Sequence, residues 1–295
     1  MKPSRLILVV LVLLFVPGLV FAGGSSTACK TKYPVVLAHG MGASAEILGI
    51  VDYWWGIEGA LEGEGARVYI TSVNGMDSTE NKAADWKRQV LNILAASRSA
   101  KVNVIGHSHG TIYTRCAITN MGLASKVASH TSLAGPHLGS SVADVIMYMP
   151  DKLVGVGTNV LDFIYAFVFG DTNPDTYTNV LQLTTGYMKN VFNPNTPNVS
   201  GIYYQSWAAK AKWSCPSVVL EPTWILMLAM EGDNDGLVGV NSAKWGNFRG
   251  VQQAAWYSAG CDHLNMVGQL FGMTPGFSAP DFFVSVVKDL KNRGY

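Results

Sequence analysis

The sequence predicts an α/β domain, with a mostly parallel sheet and helices packed on both of its faces. Three observations predict it. Short apolar runs at 34–38 (PVVLA), 66–73 (ARVYITSV), 102–105 (VNVI) and 128–134 alternate with segments of helical pattern. One run passes directly into Gly106-His107-Ser108-His109-Gly110 and then into a helical segment from Thr111. The chain has 295 residues, 48% hydrophobic and only 14% charged, enough to bury one large core. A net charge of +1 gives no electrostatic footprint for a nucleic-acid partner.

Residues 1–22 read as a separate object. Lys2 and Arg5 form a basic start, residues 6–16 are continuously apolar, and Val20-Phe21-Ala22 offers a small-residue cleavage pattern. The run is short for a membrane span and is broken by Pro17-Gly18, so a cleaved signal peptide and a secreted protein are expected rather than an anchor. The expected domain is then 23–295. Export permits disulfides. Of Cys29, Cys116, Cys215 and Cys261, the expected pair is Cys215 with Cys261; Cys116, behind Ser108, reads as a buried inert thiol.

In chain order, strand 34–38 ends in the small loop His39-Gly40-Met41-Gly42. A helix is expected from Tyr53-Trp54-Trp55 and 57–61, a strand over 66–73, and an amphipathic helix over 85–96 after a start signal at 77–79. Strand 102–105 and its helix follow, then strand 128–134. Segment 144–170 is too apolar for a solvated helix, yet Pro150, Asp151, Lys152 and Asp162 rule out a membrane span. It reads either as a buried helix pair or as a lid opening onto lipid. Residues 173–197 read as surface loop with one helix, and 202–209 as a strand. Segment 221–230 fits strand or helix, with Pro222 favouring a helix start. A terminal helix is expected over 282–290.

The chemistry starts at Ser108. A strand, a tight G-x-S-x-G turn and a helix make a nucleophile elbow, with glycines where side chains would collide. A serine nucleophile needs a base, and the base an orienting carboxylate. Of six histidines, His263 alone follows a plausible acid turn. The acid is Asp235 or Asp233, with Asp262 badly placed because it adjoins His263. Two backbone N–H groups must face the oxygen that becomes negative. Those of Met41 and His109 are the candidates, while the His39 side chain reads as internally hydrogen-bonded. The chemistry requires no cofactor.

The sequence resembles the Pseudomonas- and Burkholderia-type true lipases, bacterial lipase family I. The carrying stretches are TKYPVVLAHGM (31–41), ILGIVDYWWGI (47–57), KVNVIGHSHGT (101–111), SLAGPHLGSS (132–141), NDGLVG (234–239) and HLNMVGQLFGM (263–273). The resemblance implies an α/β-hydrolase fold with a helical lid, here 152–170, and hydrolysis of triacylglycerol or other esters at a lipid–water interface. It implies a Ser108, Asp235, His263 triad and an oxyanion hole at Met41 and His109. It further implies a foldase chaperone and type II secretion. A broad esterase or polyester depolymerase on the same fold, and a non-catalytic lipid-binding protein, are the alternatives.

Three departures matter. Thr111 replaces the last glycine of the family's H-S-H-G-G. Asn241 stands where the family has a cysteine, so the family bridge is absent. The family's structural calcium maps onto Glu221, Asn265 and the carbonyls of Gln269 and Met273, with one carboxylate lost. That loss weakens an all-oxygen site.

Overall fold

The structure is a computed structural model that describes residues 26–41, 46–47, 51–148, 175–269 and 274–295. The expected signal peptide and the expected lid at 152–170 lie outside these residues; of segment 144–170 only 144–148 are described.

Strand β1 (Val35–Ala38) is buried along its whole length, and its side chains alternate between two cores. Val36 and Ala38 join one cluster, Val35 and Leu37 the other. That period of two marks a strand covered on both sides. After a small antiparallel pair, β2 (Glu46–Ile47) and β3 (Val51–Asp52), come α1 (Ile57–Gly63) and β4 (Val68–Thr71). Helix α2 (Thr79–Ser97) is capped by Ser78, whose side chain accepts the Asn81 N–H. It starts six residues before the segment read as helical in the sequence.

The centre is β5 (Val102–His107), α3 (Gly110–Asn120) and β6 (Val127–Leu133). Helix α4 (Ser141–Tyr148) precedes the undescribed segment, and α5 (Thr176–Leu181) follows it. The rest comprises β7 (Tyr203–Ala211), α6 (Glu221–Met230), β8 (Asn247–Gln252), β9 (Gly260–Cys261) and α7 (Ala279–Asn292).

The main sheet runs β4-β1-β5-β6-β7-β8, parallel throughout, with β9 antiparallel to the end of β7. One core holds Trp86, Val90, Ile112 and Tyr113 from α2 and α3; the other holds Ile57, Leu61, Phe283 and Val286 from α1 and α7. This is the α/β-hydrolase architecture, and ligands to such sheets bind beyond the carboxyl ends of the strands.

Two expectations need correction, and one strand is additional. Strand β8 has no counterpart in the sequence reading. Residues 175–197 are mostly helical: α5 is followed by turns at Thr185–Tyr187, Met188–Phe192 and Asn193–Asn195. The Cys215–Cys261 bridge is not formed; all four cysteines are buried free thiols. The two side chains enter different clusters, Cys261 with Tyr53 and Phe283, Cys215 with Leu220 and Trp224.

Candidate active site

Ser108 lies at the carboxyl end of β5 with φ of +55°, a left-handed conformation uncommon for a residue with a side chain. Such a conformation costs about 1–2 kcal/mol and persists only where its surroundings impose it. Here they do. The Ser108 N–H donates to Leu133 O (3.0 Å), and its carbonyl accepts from the Thr111 N–H (3.0 Å) and hydroxyl (2.8 Å). A Cβ on Gly110 would lie 2.1 Å from Ala38 O, so α3 starts directly against the end of β1.

The loop after β1 crosses the serine hydroxyl. A Cβ at Gly40 would stand 3.2 Å from Ser108 Oγ. The Gly40 N–H donates to the Tyr53 hydroxyl (3.0 Å), which leaves the next amide along this loop, Met41, as the candidate donor. For the His109 N–H, no acceptor is found among the described residues. His39 is buried, with Nδ1 2.9 Å from Gly40 O and Nε2 accepting the Val73 N–H at 3.0 Å, the internal role expected of it.

Asp235 and His263 are brought together from the loops after α6 and β9. Asp235 Oδ2 lies 2.9 Å from His263 Nδ1. Its Oδ1 accepts the N–H groups of Leu237 (3.0 Å) and Val238 (2.7 Å), and the His263 N–H donates to Asp235 O (2.9 Å). The two residues are therefore tied to each other twice, once through the ring and once through the backbone. Asp233, equal to Asp235 in the sequence reading, is exposed and pairs with Lys210 at 2.6 Å. Asp262 accepts the N–H groups of Ser217, Leu264 and Asn265, which makes it the organiser of its own loop.

The His263 ring packs on that of His107, with centroids 4.5 Å apart, one residue before the serine. The Tyr53 hydroxyl donates to His107 Nδ1 (2.5 Å) and accepts from Gly40. Burial pushes the His107 pKa well below its ordinary value, so its ring stays neutral and able to accept. Tyr53 thus links the oxyanion-side loop to the histidine under His263. Sequence reasoning missed this link. Tyr53 sits in a segment that reads only as helix, and His107 precedes the serine in the chain.

Two of the calcium donors implied by resemblance are hydrogen-bonded within the protein. The Glu221 carboxylate accepts the Cys215 N–H, and Asn265 Oδ1 accepts the Asp262 N–H (3.3 Å). No cluster of three acidic, histidine or cysteine side chains suited to a metal occurs among the described residues. Met273 lies outside them.

Comparison with known proteins now bears on this geometry. A Vibrio cholerae triacylglycerol lipase is 32% identical over 243 residues, 74% of this chain and 75% of its own. The chain belongs to the triacylglycerol lipase family. Family relatives from Burkholderia plantarii (27% identical, 92% of this chain and 88% of theirs) and Pseudomonas fragi (25%, 90% and 98%) match over nearly the whole length. The chain also belongs to the family whose model is described as palmitoyl protein thioesterase, which matches residues 34–195. That span holds Ser108 and the Gly40 loop but neither Asp235 nor His263.

Among solved structures, a Bacillus licheniformis lipase superposes with a TM-score of 0.64 at 20% identity, covering 87% of this chain and 92% of that one. A metagenomic carboxyl esterase gives 0.68 at 18% identity, covering 92% and 78%. Both share the fold. With its family relatives, the lipase-family chain is a carboxylester hydrolase.

Proposed function

We propose that the protein is a secreted triacylglycerol lipase working through Ser108, His263 and Asp235. The observation that carries this reading is the doubly fixed Asp235–His263 pair, seated on the residue that precedes a strained serine. In this reading His263 takes the Ser108 proton and Ser108 attacks the ester carbonyl. The Met41 and His109 N–H groups stabilise the oxyanion. The alcohol leaves with the proton from His263, and water activated by the same imidazole clears the acyl-enzyme. Asp235 holds the ring in one tautomer and stabilises the imidazolium without itself being protonated.

The decisive experiment is Ser108→Ala on emulsified tributyrin, with fluorophosphonate labelling of the unmodified enzyme. Loss of activity on the order of 10⁴-fold or more is expected, together with labelling at Ser108. Retained activity in the variant would end the assignment.

The thioesterase family match supports a second substrate class on the same site, since a thioester is cleaved through the same tetrahedral intermediate. Comparing emulsified triolein with a palmitoyl thioester, at equal numbers of titrated sites, separates the two. Calcium has no part in the proposed chemistry; the rate on triolein with and without EDTA reads whether a structural calcium is bound. Export and a foldase belong to the same proposal: a mature chain beginning near residue 23, and a higher active yield when a foldase is co-expressed, are the results it expects.

A further inference from the structure

His109 follows the nucleophile, and its ring points away from the site into α2. Two residues in the first turn of that helix grip it. Thr79 Oγ1 lies 2.9 Å from Nε2, and Lys82 Nζ lies 3.0 Å from Nδ1. Thr79 and Lys82 are three residues apart, so they project from one helix face. The ring, hydroxyl and ammonium are all fully buried.

A Lys82 ammonium donates to Nδ1, which puts the ring proton on Nε2, facing the Thr79 hydroxyl. Lys82 donates a second bond to Asn179 Oδ1 (3.3 Å), and Asn179 Nδ2 in turn donates to Gly75 O (3.3 Å). Burial pushes the Lys82 pKa well below its ordinary value, against the opposing pull of Asp77, and burial, with Lys82 and His39 nearby, keeps His109 neutral.

A buried lysine bonded to neutral groups is a costly way to fill a core. We propose that Lys82 is a positioning residue for the oxyanion hole: with Thr79 it clamps the His109 ring, and through the ring it aims the His109 N–H. The reason is geometric. The donor belongs to the backbone, so no side chain can aim it directly. Holding both ring nitrogens fixes the torsions at Cα and Cβ, and with them the peptide plane between Ser108 and His109. Oxyanion donors act only when pre-aimed, and an error of about half an ångström degrades them. This inference rests on the reading of His109 N–H as an oxyanion donor.

The test uses Lys82→Met, His109→Ala and the double variant, assayed on p-nitrophenyl butyrate and normalised to fluorophosphonate-titrated sites. Phenylboronic acid serves as the mimic of the tetrahedral adduct. Lys82→Met is expected to lower kcat about tenfold, a fraction of the 10²–10³ expected for losing a donor outright. KM should stay within about twofold, and the phenylboronate Ki should rise by the same factor as kcat falls. His109→Ala keeps the N–H and should show a similar loss. The double variant should be no worse than His109→Ala alone, because Lys82 acts only through the ring.

Wild-type kcat per titrated site in Lys82→Met, or losses that multiply in the double variant, would overturn the proposal. If Lys82→Met does not fold, His109→Ala decides alone, and a wild-type kcat there overturns it. Activity in Ser108→Ala overturns the underlying reading. An inert Ser108→Ala beside an unaffected Lys82→Met overturns only the role of Lys82.

Discussion

Lys82 and Arg115 are both buried basic side chains, carried on the neighbouring helices α2 and α3, and each lies 3.0 Å from a histidine Nδ1. There the likeness ends. The Arg115 guanidinium lies 3.6 Å from the centroid of the Trp245 ring and 5.1 Å from that of Phe192. It also donates to Asn193 Oδ1 and to Thr196 O (2.9 Å). His137, its partner, stacks on the same Trp245 and bonds Ser132 Oγ at 2.7 Å. Burial lowers the Arg115 pKa to about 9, which still leaves it charged at neutral pH. A flat, weakly hydrated cation with several donors can knot together aromatic rings, a loop and the sheet. A point charge with one short bond to a ring does less binding and more aiming. Arg115 is thus the structural cation, and Lys82 the one turned toward chemistry.

The largest expected effect sets the scale for that contrast. Asp235→Asn should lower kcat by about 10⁴, by allowing the wrong His263 tautomer, with little change in Tm. Next comes Arg115→Met, which strands the acceptors of His137, Asn193 and Thr196. It should cost about 3 kcal/mol of stability, read by urea unfolding, while kcat per titrated site stays within about twofold. A large fall in kcat with intact stability would reverse the assignment of the two cations.

Acid should act on the buried histidines rather than on either cation. Burial lowers His39 from 6.5 to about 4 and His130 to about 3. Between the unfolded value and these folded ones, the unfolded chain binds more protons. Stability is therefore full above pH 6.5 and falls as pH drops toward 4, by about 3 kcal/mol for His39 alone. Calorimetry from pH 7 to 4 measures it, and a flat Tm across that window contradicts it. The smallest effect is the tenfold loss in Lys82→Met, which should come with a smaller fall in Tm than Arg115→Met. Equal Tm losses in the two variants would erase the distinction.

What could be read from the sequence follows from where the information lies. The β5–Ser108–α3 unit was legible because its causes are local: an apolar run, two glycines and a helix start within ten residues. Strand β8 was not, because NFRGVQ is a half-exposed edge whose Asn247 and Arg249 hide the alternation. Segment 173–197 looked like loop from its Asn, Thr and Pro content. Its helices depend on non-local bonds, such as the Asp144 carboxylate accepting the Thr185 N–H. Asp233 and Asp235 are indistinguishable as letters, and only the turn that directs one inward and the other to Lys210 separates them. The roles of Tyr53 and Lys82 were illegible for the same reason: each is defined by a contact 54 or 27 residues away.

The missing side chain at Gly110 has a mechanical consequence. With α3 seated directly on the end of β1, the nucleophile and the loop that faces it cannot slide apart, since no intervening layer exists to shear. These two backbone segments travel as one block. Whatever rearranges to admit a bulky acyl chain must do so around that block, and the reacting centre keeps its alignment while the walls move.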